Sequence, residues 1–371
     1  MIKVLQFTDV INRYDFIDTI IQFADRERFE ISVCRRTKES NIATPEFTEG
    51  TNKRVIGWSG LKGVPRAAWK LSRLLDEWDI DIVHAHHFEP AQIAWLASRI
   101  RRKTKFIFGR HYSDLIRNLP GVKRKVYLAA EQLMNRSAAR IIVPSTMIAN
   151  ILVGEQNVDR SKIDVVPYGF ASSKYSEIAE EERQAVSEQF GMEGKFIVVT
   201  LGKLTQGKGV RFLADAVVTL KNKIPDLMLV YVGEGEERRY LEELIGREGL
   251  EETIKIAGWR TDSMAFVAAS DIVVQPTLSE AFSQVMGEAM WMGKPLVITD
   301  VSGATDIIRN GNGILVPKGD SRALAAAIET LYFDPELRER VGNAGKQFVK
   351  SELAIENVIE LYERSYLDAV A

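Results

Sequence analysis

At 371 residues the chain exceeds the size at which a single hydrophobic core usually stops growing, so two domains are expected. Hydrophobic residues at 46% and charged residues at 27% describe an ordinary globular chain and exclude disordered and fibrous classes. The one cysteine, Cys34, rules out an internal disulfide and cysteine-based metal clusters. The opening residues, M-I-K-V-L-Q-F-T-D-V, read as a short strand and not as a signal peptide, and no apolar run reaches bilayer length. A cytoplasmic location is the expectation. The net charge of −2 hides an asymmetry, because residues 1–170 carry 27 basic against 19 acidic side chains and the remainder 22 against 32. Twelve basic residues and only Asp114 and Glu131 on the acidic side fall within 99–140, which points to an anionic partner for the first half.

In chain order, the first half alternates strands with helices. Strand-like runs at Ile2–Phe7, Phe29–Cys34, Ile80–Val83, Lys105–Phe108, Ile141–Val143 and Lys162–Pro167 are separated by helical spacing at Phe16–Ala24, Val64–Trp78, Ala91–Ile100 and Gly121–Ser137. Ser40–Gly50 is polar and reads as a loop. Repeated βα units of this kind predict a doubly wound parallel sheet. Val166–Ser173, with Pro167 and Gly169, has the composition of a linker. A second series of βα units follows, with strands at Phe196–Leu201, Met228–Val232, Ile254–Ala257, Asp271–Gln275, Pro295–Thr299 and Gly313–Val316. The expected boundaries are a first domain over 1–170, a second over 171–350, and a C-terminal helix over 351–371 that packs back toward the first.

The stretch P-T-L-S-E-A-F-S-Q-V-M-G-E-A-M-W, from Pro276 to Trp291, carries the clearest chemistry. It follows a strand and turns helical, so Glu280 is placed at the carboxyl end of a sheet, where α/β folds bind ligands. Read as one helix, Glu280 and Glu288 stand about 12 Å apart, the length of a small polar ligand. The N–H groups of Ala281, Phe282 and Ser283 would then suit an anion. Two surface glutamates at a helix start are the plainer alternative.

Gly202-Lys203-Leu204-Thr205-Gln206-Gly207-Lys208-Gly209 follows a strand and precedes a helix, with two glycines and two lysines suited to phosphate. Gly209 stands where a P-loop needs the hydroxyl that ligates magnesium, so phosphate binding without magnesium is favoured over an NTPase. Gly233-Glu234-Gly235 lacks the third glycine of a dinucleotide fingerprint. His84, His86 and His87 end a buried strand; strand alternation puts the first two on one side and His87 on the other. Lining a polar cleft is favoured over metal binding there, since Glu89 is the one nearby carboxylate. His111 follows another strand and reads equally as a hydrogen-bonded loop residue or a site residue. Asp306 lies in a small-residue turn beside the same crevice as Glu280, and a capping or first-turn role is its plainer reading.

Taken in this order and spacing, these stretches resemble the family 4 retaining glycosyltransferases of GT-B fold, over nearly the whole chain and most strongly between about 140 and 320. Glu280 and Glu288 match the family's E-x7-E motif, and L-G-K-L-T-Q-G-K-G matches its phosphate loop. Ile141–Ser145 and Val165–Gly169 are similar to its segments before the linker, and Ile256-Ala257-Gly258-Trp259-Arg260 to the loop against the nucleotide base. The resemblance implies two Rossmann-like doubly wound parallel-sheet domains facing each other across a cleft. It implies that Glu288 holds ribose hydroxyls, that Glu280 holds the transferred sugar, and that Lys203 and Lys208 neutralise the diphosphate. His111 matches an amino-domain histidine that approaches the sugar. Donor contacts then come from Gly202, Lys203, Lys208, Trp259, Arg260, Glu280, Ala281, Phe282, Ser283 and Glu288, and acceptor-side candidates are Asp9, His86, His87 and Arg110.

The implied reaction is metal-independent transfer with retention from a UDP- or GDP-sugar, with no cofactor and no metal. Its acceptor is a hydroxyl of a saccharide or a lipid-linked glycan of the cell envelope. The basic block, with Lys123, Arg124 and Lys125 beside Val126, Tyr127 and Leu128, is suited to an anionic membrane surface and equally to a solvated face; nucleic acid is not implied. Four positions depart from the family: Lys203 for Arg, Ala281 for Gly, Asp306 for Glu, and Thr8–Arg13 without the family's glycine-rich loop. The last departure keeps a non-catalytic sugar-nucleotide binding protein as an alternative, beside a GT-B epimerase or phosphorylase.

Overall fold

The computed structural model describes residues 1–9, 15–37, 51–57, 63–112, 119–172 and 178–371. The loop expected at Ser40–Gly50 and most of the glycine-free segment 8–13 lie outside them. Two compact units emerge, the first comprising Met1–Gly169 with Ile355–Ala371 and the second Phe170–Ala354.

The first unit contains β1 (Ile2–Thr8), α1 (Asp15–Phe23), β2 (Phe29–Thr37), β3 (Lys53–Gly57), α2 (Val64–Glu77) and β4 (Ile82–His86). It continues with α3 (Phe88–Ile100), β5 (Lys105–Gly109), α4 (Gly121–Ser137), β6 (Arg140–Val143), α5 (Thr146–Gln156) and β7 (Ile163–Val165). The second unit contains α6 (Glu180–Phe190), β8 (Phe196–Leu201), α7 (Val210–Leu220), β9 (Leu227–Val232), α8 (Arg238–Glu248) and β10 (Ile254–Gly258). It is completed by α9 (Ser263–Ala269), β11 (Ile272–Gln275), α10 (Gln284–Trp291), β12 (Leu296–Thr299), α11 (Ser302–Ile307), β13 (Ile314–Val316), α12 (Ser321–Phe333) and α13 (Pro335–Glu352). The last helix, α14 (Ile355–Val370), belongs to the first unit and packs on α1 and on strands β4 to β6.

Both sheets are wholly parallel, in the orders β3-β2-β1-β4-β5-β6-β7 and β10-β9-β8-β11-β12-β13. Parallel strands covered by helices on both faces must be apolar throughout, which is why β8 and β9 are buried along their full lengths. The strand order reverses between β1 and β4 in one unit and between β8 and β11 in the other. Those are the switch points at which loops from adjacent strands splay apart and leave a crevice.

Three elements lack the patterns that reveal such structure in a sequence. Strand β3 is a short charged edge in which only Ile56 is buried. Helix α6 buries only Val186, so it has no apolar stripe; Glu180, Glu181 and Glu182 fill its first turn, where a helix favours negative charge. Helix α5 is instead defined by its ends. Ser145 caps it through Oγ, 3.4 Å from the Ile148 N–H, and Asn157 terminates it in the left-handed region at φ 52°.

Candidate functional site

In the second unit, the loops after β8 and β11 meet at the switch point. Lys208 is the last residue of the first loop's 3₁₀ turn, Gln206–Lys208, and its Nζ lies 2.7 Å from Glu280 Oε2. The two loops are stitched by backbone as well: Leu278 N–H donates to Gly207 O at 2.9 Å and Thr277 Oγ1 to the same oxygen at 3.2 Å. Gly209 makes this approach possible. Its φ is +65°, and a Cβ there would stand 1.9 Å from Pro276 O. Lys203 is exposed one residue beyond Gly202, and no ion pair to it occurs among the described residues. One cation and one carboxylate therefore face each other at the strand ends, with a second cation, Lys203, exposed on the same loop, an arrangement that can exchange its internal ion pair for an anionic ligand.

The local structure of the Glu280 segment differs from the sequence expectation. Helix α10 starts at Gln284, with Ser283 as its N-cap, so Ala281 and Phe282 precede the helix and are not its first turn. Both are buried, and Gly303 packs on them so closely that a Cβ would lie 2.9 Å from Phe282 Cα. Ser283 spends its Oγ on the Met286 N–H at 3.4 Å. Pro276 and the following turn delay the helix, so the 12 Å helical spacing between Glu280 and Glu288 does not apply: Glu280 is in the loop and Glu288, half-buried, is in the second turn.

Trp259 is exposed beside Gly258, whose φ is +75°. Arg260, an expected donor contact, is ion-paired in this structure. Its guanidinium is bound bidentately by Asp262 at 2.8 and 2.6 Å, reaches Gln189, and lies over the rings of Phe190 and Phe266. These contacts bridge α6 and α9 and leave the Arg260 side chain a quarter exposed.

In the first unit, the ends of β1, β4 and β5 gather a buried aromatic and polar cluster. His86 Nε2 is 2.8 Å from Gln6 Oε1, His86 Nδ1 is 3.0 Å from His111 Nε2, and His111 Nδ1 is 3.1 Å from Tyr168 Oη. Gln6 also donates to Tyr366 Oη at 2.9 Å, and that hydroxyl is 3.1 Å from His84 Nδ1. Burial disfavours charge on every imidazole here; it pushes His84 down to about 3 and His86 and His111 well below the ordinary histidine value. Among the described residues no His, Cys, Asp or Glu cluster is disposed to hold a metal ion.

Two expectations for this unit change. The strand ends at His86, and His87 adopts φ +69°, so strand alternation stops before it; its ring lies 5.4 Å from that of His111 instead of pointing away. Burial lowers the His87 pKa, opposed by the negative charge of Asp9 beside it. Arg110 is not available to an acceptor. It is 2% exposed, donates through Nε to Glu131 at 2.9 Å and through Nη1 to Tyr112 O at 2.7 Å, and stacks on Tyr112. Gln6, Tyr168 and Tyr366 escaped the sequence reading. The one signal was Gln6 itself, a polar residue inside an apolar strand, which a buried sheet admits only with partners.

Comparisons with known proteins account for both units. The family described as Glycosyltransferase Family 4 matches residues 16–173, and that described as Glycosyl transferases group 1 matches 182–348. The putative glycosyltransferase EpsD of Bacillus subtilis is 27% identical over 81% of this chain and 80% of its own length. The lipopolysaccharide core biosynthesis glycosyltransferase LpsE of Rhizobium meliloti is 31% identical over 45% of this chain and 48% of its own. Anabaena Alr3699/HepE, solved in complex with UDP-glucose, has a TM-score of 0.81 at 21% identity, covering 98% of this chain and 99% of that one. Two Rossmann-like parallel sheets of this kind are the GT-B type of fold. The chain belongs to the family 4 glycosyltransferases.

Proposed function

We propose that the protein transfers a sugar from a UDP-sugar to an acceptor hydroxyl, with retention of configuration and without a metal, in the synthesis of a cell-envelope glycan or polysaccharide. The observation that carries this reading is the Lys208–Glu280 pair at the β8/β11 switch point, with Lys203 exposed beside it. On nucleotide-sugar binding, the diphosphate takes Lys208 from Glu280 and draws in Lys203. Glu280 is thereby released to accept hydrogen bonds from hydroxyls of the transferred sugar, while Glu288 serves the ribose. As the bond from the anomeric carbon to the phosphate breaks, negative charge grows on the leaving diphosphate, and two lysine cations oppose it in the way a divalent cation would. The acceptor hydroxyl attacks from the face the leaving group vacates, and a phosphate oxygen takes its proton. UDP is favoured over GDP by the UDP-glucose complex of HepE, and an envelope glycan by the named role of LpsE.

The first unit supplies the acceptor side, with Asp9, His87 and His111 as its polar residues and the enclosed His86 bonded to His111. An anionic membrane surface is part of the same reading. Helix α4 exposes Val122, Val126 and Leu133 along one line, flanked by exposed Lys123, Arg124, Lys125 and Arg136. Tyr127 and Leu128 are half-buried instead, Tyr127 stacked on Phe88 at 4.9 Å, so they are not the seating residues. No helix among the described residues is long and apolar enough to cross a membrane, which leaves surface attachment as the mode proposed.

Calorimetric titration of UDP-glucose, UDP-GlcNAc and GDP-mannose in EDTA tests the donor and the absence of a metal together. Binding of a UDP-sugar in EDTA, followed by release of UDP in the presence of acceptor glycans, is expected. Binding only after a divalent cation is restored refutes the metal-free site.

A further inference from the structure

The histidine cluster of the first unit is a single continuous relay whose polarity can be read bond by bond. With the Gln6 amide turned so that its nitrogen donates to Tyr366, Oε1 faces His86 and can only accept, so in this orientation the 2.8 Å contact places a hydrogen on His86 Nε2. A neutral His86 then has a bare Nδ1, and the 3.0 Å contact to His111 requires the hydrogen to sit on His111 Nε2. His111 Nδ1 is bare in turn and accepts from the Tyr168 hydroxyl at 3.1 Å. On the other side, the Gln6 amide N–H donates to Tyr366 Oη, whose own hydrogen is directed at His84 Nδ1, leaving His84 protonated at Nε2. A proton added at His86 Nδ1 would set its N–H head to head with that of His111 Nε2. Burial independently favours the neutral rings.

The surroundings are built for this arrangement. Gly109 sits where a Cβ would stand 2.9 Å from His111 Nε2 and His84 Nε2 and 3.0 Å from His86 Nδ1, so no other residue leaves the three rings room. Phe16 stacks on Tyr168 at 5.0 Å with its ring nearly parallel, and lies 4.8 Å from His111. His111 and Tyr168 are the least buried members of the relay, at 9% and 8% exposure, whereas Gln6, His84, His86 and Tyr366 are fully enclosed. The end at which a ligand can enter is therefore the His111–Tyr168 bond.

We propose that Gln6, His86 and Tyr168 are positioning residues that hold His111 as its neutral Nε2–H tautomer and reserve its Nδ1 as an acceptor for a ligand hydroxyl, with Tyr168 occupying that acceptor until the ligand displaces it. The displaced bond is exchanged for an equivalent one, so a hydroxyl-bearing ligand is admitted and one presenting a bare acceptor in its place is refused. The tautomer assignment stands on geometry alone; the ligand's arrival at Nδ1 rests on the sugar-transfer reading above.

Long-range ¹H–¹⁵N correlation spectra of protein labelled with ¹⁵N-histidine distinguish a bare ring nitrogen from a protonated one. At pH 7.5 the expected result is an Nε2–H tautomer at both His86 and His111, with His111 Nδ1 shifting on Tyr168→Phe while the tautomer persists. Gln6→Met is expected to give mixed tautomers at both rings, since the group that sets the polarity is gone. An Nδ1–H or doubly protonated His111 in the unmodified protein overturns the proposal, as does a Gln6→Met spectrum with unchanged tautomers. These readouts need no turnover, so a protein that fails to transfer sugar refutes the functional reading and leaves the tautomer result standing.

Discussion

Lys208 and Glu280 hold each other at 2.7 Å across the crevice between the ends of β8 and β11, with side chains 30% and 20% exposed. An ion pair this exposed contributes roughly 0–1 kcal/mol to folding, so its residue types are better explained by what they do when separated. Substituting Lys208 by Ala is expected to leave the melting temperature within a few degrees and to lower kcat about 10²- to 10³-fold, the usual cost of removing one charge aimed at a leaving group. Glu280→Gln is expected to lower turnover as well, yet to bind UDP several-fold more tightly, because Lys208 no longer has to be won from a carboxylate. Calorimetry and initial rates on the two variants check this; weaker UDP binding by Glu280→Gln refutes the exchange of partners.

Gly209 and Gly191 share almost the same backbone, with φ of +65° and +66°, but only Gly209 is crowded. Alanine at Gly191 meets nothing within 4 Å and is expected to cost about 1 kcal/mol of backbone strain. Alanine at Gly209 must also push back Pro276 O, and is expected to cost about 2–4 kcal/mol and to abolish donor binding by separating the two loops. Urea denaturation of both variants gives the comparison. Equal losses at the two positions contradict it.

Arg110 and Glu131 form a pair enclosed on all sides, with side-chain exposures of 3% and 0%. Removing one partner strands a buried charge, so Arg110→Met is expected to destabilise by about 3–5 kcal/mol. The Arg110→Met/Glu131→Gln double variant should recover part of that loss. If Arg110 instead served an acceptor, the single variant would raise an acceptor KM and leave stability intact, which thermal unfolding alongside kinetics resolves.

The buried histidines make stability fall on the acid side. Their folded pKa values are lowered, so below the unfolded value near 6.5 the unfolded chain takes up protons that the folded one refuses. Unfolding free energy is therefore expected to be flat above pH 7 and to fall by about 1.4 kcal/mol per pH unit for each such histidine below 6.5, continuing toward about pH 3 for His84. Denaturation midpoints between pH 8 and 5 measure this. An unchanged midpoint from 6.5 to 5 means that the rings are charged in the folded protein.

Membrane seating through α4 predicts a specific chemistry. Sedimentation with vesicles containing phosphatidylglycerol should remove the protein from solution, vesicles of phosphatidylcholine alone should not, and 0.5 M salt should reverse the first result. Val126→Glu is expected to weaken binding several-fold without changing UDP affinity. Binding that is indifferent to anionic lipid or to Val126 rules the surface out.

Much of the architecture was legible because its causes are local. Runs such as Ile197–Val199 and Leu229–Tyr231 are apolar at every position, as a parallel sheet covered on both faces demands, and Gly202, Gly209 and Pro276 mark the loops at strand ends. The motif spacing identified the family before any contact was known. Elements without a periodic core face, β3 and α6, stayed hidden because they bury almost nothing.

What the tertiary structure alone decided is which polar groups face one another. Arg110 and Arg260 looked like free cations in strand-end loops, but each found its counter-charge, Glu131 twenty-one residues away and Asp262 two residues on, and neither distance nor type revealed the pairing beforehand. Glu280 and Glu288 kept their sequence spacing but not the helix assumed between them, since the loop's hydrogen bonds to Gly207 outweigh local propensity at Leu278 and Thr277. The relay from Tyr168 to His84 draws on residues as far apart as Gln6 and Tyr366, 360 positions along the chain. Composition and period report what a residue avoids, chiefly water. A hydrogen-bond partner is chosen by geometry within about 3 Å, which only the folded chain supplies.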